Sequence, residues 1–235
     1  RAILMHGVRS MNYMEPKPVN ADLTARAVVD SNELEWLDSP EEGVERRPLE
    51  RDGGEVARAT SIVRYAADSS FSEHTHGGGE EFFVLSGTFC DETGEFPAGS
   101  YVRNPPGTSH KPFSREGCTI LVKLRQMRDD DAQRVVVDTN QAEWQAGDNP
   151  AHYVIPLFEG PDERVTLEKL DAGGSLPPAE LEGGDEIFVI AGSFQDEHGT
   201  YRKGAWIRNP AGTRHGTESP EGCLLWIKRG HLPRV

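Results

Sequence analysis

Apolar residues in this chain fall in short runs that Gly, Pro, Asn and Asp interrupt before any helical period develops. Residues 59–65, 81–86, 87–90, 100–103 and 118–124 are rich in β-branched and aromatic side chains and predict strands. Asp91-Glu-Thr-Gly94 and Asp196-Glu-His-Gly199 predict hairpin turns, each ending on a glycine that tolerates positive φ. Only residues 32–36 and 140–144 suggest helix, a single turn each. Many short strands with regular punctuation predict a sandwich or small barrel.

The pattern then repeats. Val28-Val-Asp-Ser-Asn-Glu-Leu-Glu-Trp36 returns as Val136-Val-Asp-Thr-Asn-Gln-Ala-Glu-Trp144, and Glu80-Glu-Phe-Phe-Val-Leu-Ser-Gly87 as Asp185-Glu-Ile-Phe-Val-Ile-Ala-Gly192. Arg103-Asn-Pro-Pro-Gly-Thr-Ser-His110 returns as Arg208-Asn-Pro-Ala-Gly-Thr-Arg-His215, and Glu116-Gly-Cys-Thr-Ile-Leu-Val-Lys123 as Glu221-Gly-Cys-Leu-Leu-Trp-Ile-Lys228. The offset is 108 at the first pair (136 less 28) and 105 at the others (185 less 80), so one small length change separates two parallel copies. Residues 1 to about 21, including Glu15-Pro-Lys-Pro18, read as a leader or arm, residues 22–128 as the first domain and 129–235 as the second. Each copy has the size of one small barrel.

Composition narrows the partners. The formal net charge of −14 repels phosphate backbones, and no basic cluster offsets it, which argues against nucleic acid. No apolar run is long enough for a membrane span, and the opening Arg1-Ala-Ile-Leu-Met-His-Gly7 is too short for a secretory signal. An opening Arg in place of Met leaves room for a missing N-terminal piece. Cys90, Cys118 and Cys223 are odd in number and form no CxxC pair, which points to a reducing, cytoplasmic setting. Cys118 and Cys223 occupy equivalent strand positions and read as small buried hydrophobes. Cys90 lacks a cationic neighbour in sequence that would activate it.

The candidate chemistry lies in His74-Thr-His76-Gly-Gly-Gly-Glu80. Side chains one residue apart on an extended strand share a face, and three glycines let the chain turn so that Glu80 returns toward both imidazoles. Two imidazoles and a carboxylate suit a borderline divalent metal such as zinc or iron, against the alternative of a surface histidine pair after a flexible turn. Pro105-Pro106-Gly107 forces a second turn that can bring His110 inward. Glu81 should face away from Glu80 and read as structural. Tyr65, Phe82, Tyr101 and Arg103 either line a pocket or act as packing and salt-bridge residues.

The spacing His74-x-His76-x3-Glu80-x6-Gly87, followed by Gly99-x5-Pro105-x-Gly107-x2-His110, matches both motifs of the cupin superfamily, with Ser114 where asparagine often closes the second. Gly78-Gly-Glu-Glu81, Asp91-Glu-Thr-Gly94, Arg103-Asn-Pro-Pro-Gly107 and Gly117-Cys-Thr-Ile-Leu-Val-Lys-Leu124 resemble the cupin domain of ChrR-type anti-sigma factors in particular. The resemblance covers residues 22–127 strongly and 133–235 more weakly. It implies an all-β, double-stranded β-helix (jelly-roll) barrel in two tandem copies, a bicupin. It also implies one divalent metal, zinc or iron(II) with manganese or nickel as further options, held by His74, His76, Glu80 and His110.

In the second copy these four positions become Ala179, Leu181, Asp185 and His215, so both losses are to apolar side chains. Glu180 and Glu182 flank them but should point elsewhere. The second copy therefore reads as a degenerate scaffold barrel that buries surface against the first; His152, His198 and His231 read as solvent-facing loop residues. Three functions remain open. One is a metal-dependent dioxygenase acting on a small diketone or phenolic ketone, for which no separate catalytic base stands out. Another is a sensor or ligand-binding bicupin, lacking the His-x3-Cys-x2-Cys segment of the sigma-binding zinc domain. The last is a barrel with a structural zinc. The expected partner is a small molecule, and pairing into a homodimer is an option.

Overall fold

In the computed structural model, residues 15–234 are described, and they are almost entirely strand. The leader expected at 1–21 lies largely outside that range; its last part is held where Val19 and Arg51 exchange backbone hydrogen bonds of 2.9 and 2.7 Å. Among the described residues no helix is long and apolar enough to cross a membrane.

The chain forms two compact units. In the first, antiparallel strands follow the order Val135–Asp138, Ser100–Asn104, Glu80–Asp91, Cys118–Leu124, Arg58–Tyr65, Val44–Asp52 and Leu37–Asp38. A separate two-stranded piece pairs His74–Thr75 with Ser109–His110. The second unit repeats this order with Ala27–Asp30, Ala205–Asn209, Asp185–Asp196, Cys223–Arg229, Arg164–Leu170, His152–Glu159 and Gln145–Ala146. Two copies of one double-stranded β-helix barrel result, as the motif resemblance implied.

The compact units do not follow the repeat boundary at 128/129. Residues 20–34 belong with 137–235, because Ala27–Asp30 zips onto Ala205–Asn209 with Val28 opposite Ile207, while Val135 and Val136 belong to the first unit. The first strand of each repeat thus completes the sheet of the other repeat.

Two predicted strands, 81–86 and 87–90, are one strand, Glu80–Asp91. Gly87, at φ +70, lets it bend from one sheet into the next, and a Cβ there would stand 2.0 Å from the Gly117 carbonyl oxygen. Inward residues of this strand, Phe82, Val84 and Phe89, pack with Phe96, Val102, Ile120 and Val122 in the core of the first unit. The Phe82 and Phe89 ring centroids are 4.4 Å apart. Ile187, Val189, Phe194, Ile207, Leu225 and Ile227 form the matching core of the second. Val44–Asp52 went unpredicted, since its charges and Pro48 hide the alternation; Pro48 is accommodated at a bulge in the pairing with Arg58–Tyr65. Of the two expected helical turns, one is a short 3-10 helix at Ser31–Glu33 and the other a turn closed by the Asp138 carbonyl.

Candidate metal site

Strand register brings the site together. His74 lies directly opposite His110 in the two-stranded piece, and Glu80 begins the strand beside Asn104. His76 is fixed just beyond the pairing, its N–H bonded to the Thr108 carbonyl and its own carbonyl accepting from Gly107, each at 2.9 Å. The three imidazoles stand 4.5 to 5.1 Å apart, centroid to centroid. One donor atom from each of His74, His76, Glu80 and His110 lies within 4.8 Å of the others. All but His74 are buried, and His74 is half-buried.

The tautomer of each imidazole follows from its outer neighbour. His74 Nδ1 faces the Ser72 carbonyl at 2.9 Å, which can only accept, so Nδ1 carries the proton. His110 Nδ1 faces the Asp91 carboxylate at 3.1 Å, with the same outcome. His76 Nδ1 faces Thr108 Oγ1 at 3.0 Å, and that hydroxyl already donates to the Pro105 carbonyl at 2.7 Å, so it must accept from His76. In its neutral form each ring therefore turns an unprotonated Nε2 toward the centre. His76 Nε2 and His110 Nε2 are buried with no hydrogen-bond partner, and each lies 3.4 Å from Glu80 Oε2. Orphaned buried lone pairs converging beside a carboxylate fit a divalent cation with nitrogen and oxygen ligands. Asn104 Nδ2 steadies Glu80 Oε2 at 3.2 Å.

Electrostatics differ among these groups. Burial pushes the His76 imidazole below its ordinary pKa despite the pull of Glu80. Burial also pulls His110 down, but its hydrogen bond to Asp91 and the charge of Glu80 outweigh that, so its pKa is raised. Burial, then the neighbouring Glu80 charge, pushes the Tyr65 phenol well up and keeps it protonated.

A cavity of about 300 Å³ opens beside the cluster. His74, His76 and Glu80 form one part of its lining, and Val44, Val63, Tyr65, Phe71, Ile120 and Leu124 much of the rest. Tyr65 thus lines the pocket as one of its two expected roles. Phe82 belongs to the core, and Tyr101 and Arg103 lie on the opposite face of the sheet with Glu81. There Tyr101 donates to Glu81 at 2.7 Å, and Arg103 bridges Glu81 and Asp131. Sequence reading missed Asp91, Thr108 and Asn104. All three recur in the second copy, as Asp196, Thr213 and Asn209, so the repeat gave no hint of a role specific to the first.

The second unit keeps the frame without the site. Ala179 pairs with His215 as His74 does with His110, and Leu181 makes the same backbone bonds as His76, to Thr213 and from Gly212. His215 Nε2 closes directly on Asp185 at 3.0 Å. Burial pulls the His215 pKa down, but the bond to Asp185 and its charge prevail and raise it. The residues replacing cavity-lining Val44, Val63 and Leu124 are His152, Glu168 and Arg229, placed by equivalent strand registers. His152 was expected at the surface but is 4% exposed, because its Nε2 bonds Glu168 at 3.1 Å. Arg229 grips the same carboxylate. Burial alone would raise the Glu168 pKa, yet His152 and Arg229 hold it well below the usual carboxylate range. His231, also expected in solvent, bonds Glu186 at 2.9 Å, whereas His198 is exposed as expected. All three cysteines are free and buried.

The profile of the ChrR cupin-like domain family matches residues 24–128 and again 132–233. Solved structures share the fold. A candidate dioxygenase from Nostoc punctiforme aligns with a TM-score of 0.74 at 14% identity, covering 90% of this chain and 85% of its own. A candidate glyoxylate-induced protein from Pseudomonas aeruginosa aligns at 0.73 and 13% identity, covering 94% of both. The oxalate decarboxylase of Lactobacillus farciminis, as a formate complex, aligns at 0.65 and 10%, covering 88% of this chain and 87% of its own. No curated protein matches the sequence.

Proposed function

The chain belongs to the ChrR cupin-like domain family, and from that premise we propose that its first barrel is a metal-dependent dioxygenase for a small diketone or phenolic ketone. The observation that carries this reading is the set of bare Nε2 lone pairs facing Glu80 beside a largely apolar cavity. A purely structural zinc needs no cavity against its ligands, and here three of the four donors line one. Fold likeness to a candidate dioxygenase supports the reading, although barrels of this shape serve unrelated chemistries.

In this reading His74, His76, Glu80 and His110 hold the metal, and iron(II) is the species that suits oxygen chemistry. When bound, the metal supplies Lewis acidity that stabilises an enolate or phenolate and orients the reactants. Asp91, Thr108 and the Ser72 carbonyl hold the protons on the three Nδ1 atoms, so the ligating nitrogens stay free. Val44, Val63, Phe71 and Ile120 exclude water from the substrate body, and the protonated Tyr65 hydroxyl is placed to donate to a substrate oxygen. For a diketone both oxygen atoms end in the products, a carboxylic acid and a 1,2-dicarbonyl, and no external reductant is consumed.

The test is metal analysis of protein purified without added metal, followed by oxygen uptake with pentane-2,4-dione and 4-hydroxyacetophenone on iron(II)-loaded protein. Uptake abolished by His76→Ala is expected. Tightly held zinc, with no uptake after exchange for iron(II), overturns the reading.

A further inference from the structure

We propose that Arg125 anchors the substrate of this cavity and that the substrate carries a carboxylate, held at the mouth of the cavity. This rests on the reading above and adds the chemical class of its ligand. Arg125 is exposed and lines the same cavity as His74, His76 and Glu80, so it stands where the cavity meets solvent.

Its backbone is unusual. Arg125 sits at φ +56, left-handed territory that side chains disfavour, and the equivalent residue of the second barrel is Gly230 at φ +89. The same backbone bond is kept in both, Arg125 N–H to the Gly79 carbonyl and Gly230 N–H to the Gly184 carbonyl, each 2.9 Å. A glycine therefore meets every structural need of this turn, and the arginine is carried at a conformational cost that the fold does not require.

The guanidinium has a place made for it. It lies over Gly77, next to the ligand His76, where a Cβ would stand 2.8 Å from Nη2 and 3.1 Å from Nη1. In the second barrel Gly77 is replaced by Glu182 and Arg125 by Gly230. The pair is thus swapped: the barrel with the metal-site residues has a bare glycine under an arginine, and the barrel without them has neither.

Among the described residues the Arg125 guanidinium makes no ion pair or hydrogen bond, in a chain with 39 acidic residues. The other arginines of the cavity are engaged: Arg46 is held by both oxygens of Glu55 at 2.9 Å, and Arg51 donates to the Gly54 carbonyl at 2.9 Å. A free planar fork above an apolar cavity recognises a carboxylate joined to a short apolar body. The class of substrate is a keto acid whose ketone end faces His74 and Glu80.

The test compares 2,4-dioxopentanoate with pentane-2,4-dione, which lacks the carboxylate. Binding to zinc-loaded protein is measured by calorimetry, and oxygen uptake on iron(II)-loaded protein separately. The wild type should bind the acid tighter than the neutral diketone. Arg125→Gly should weaken the acid roughly 10-fold to 100-fold and leave the neutral diketone unchanged. Arg125→Lys should fall between, and Arg128→Ala, an exposed arginine paired with Asp130, should change neither. Arg125→Gly should also melt no lower than wild type, whereas a structural arginine would cost stability on removal. Equal binding of the acid by wild type and Arg125→Gly, or no binding by either, overturns the proposal. Binding of the acid that depends on Arg125, without oxygen uptake, leaves the anchor standing and removes the oxygenase. Oxygen uptake with no preference for the acid does the reverse.

Discussion

Asp91→Asn is the substitution whose outcome the geometry constrains most tightly. Burial pushes the Asp91 carboxyl up, but hydrogen bonds from His110 and Thr93 bring it below its ordinary value, so it is ionised and only accepts. Its Oδ1 takes the Thr93 N–H at 2.7 Å and the Thr93 hydroxyl at 2.6 Å, and its Oδ2 takes His110 Nδ1–H at 3.1 Å. An asparagine has one acceptor oxygen. The two Thr93 bonds keep that oxygen, and the amide NH2 is then presented to His110 Nδ1. To accept from it, His110 must move its proton to Nε2, the atom that faces Glu80. Partners that orient a metal-bound histidine are worth about 10-fold to 100-fold in affinity, or roughly 1.4 to 2.7 kcal/mol at about 1.36 kcal/mol per decade. Competition with a chromophoric zinc chelator reads the affinity, and nitrogen-15 chemical shifts of the His110 ring in the metal-free protein read the tautomer. Affinity within twofold of wild type, or a His110 tautomer unmoved by the substitution, refutes the reasoning. A loss as complete as that of His110→Ala makes Asp91 a ligand in its own right.

His76→Ala should abolish metal occupancy measured by elemental analysis, while His215→Ala should leave it unchanged; equal losses would mean that the second barrel holds metal. The raised pKa of His215 means that its pairing with Asp185 is fully present below the unfolded imidazole value of about 6.5 and is lost as pH rises through the higher folded value. Urea midpoints of wild type and His215→Gln should accordingly lie further apart at pH 6 than at pH 9. Gly87→Ala places a Cβ 2.0 Å from a backbone oxygen at a positive φ, and a drop in melting temperature equivalent to about 2 kcal/mol or more is expected by calorimetry. Separate production of 1–128 and 129–235 should give halves that each lack an edge strand and fold far better mixed than alone, as circular dichroism would show.

Much of this was legible in the sequence, for physical reasons. Glycine at the bends and alternation in the strands are local properties, and the histidine spacing on a fixed register puts His74 opposite His110 whatever else the chain does. What stayed hidden depends on partners distant in sequence. His152 follows Asn149-Pro150 and looks like a loop residue until Glu168, on the next strand, covers it. Val44–Asp52 is too charged to show a face, because Arg46, Glu50 and Glu45 find their partners outside it, in Glu55 of the following loop and Arg58 and Arg64 of the next strand. Tyr101 and Arg103 carry the wrong parity for the cavity, which the pairing of Arg103 with Glu81 makes plain: the residues opposite Glu80 and Glu81 must sort to opposite faces.

The Arg229–Glu168–His152 cluster has a consequence for how the two barrels are stabilised. A barrel that binds a metal gains about 4.1 kcal/mol when free metal stands 1,000-fold above its dissociation constant, and forfeits that gain when a chelator strips it. The second barrel carries its cation covalently, as a guanidinium packed over the carboxylate, and no change in the surroundings can titrate it away near neutral pH. If the first barrel holds a metal as proposed, its stability depends on metal supply while that of the second does not. Depletion should loosen the first unit while the second keeps its protection against hydrogen exchange, so that one chain holds a responsive barrel and a constant one.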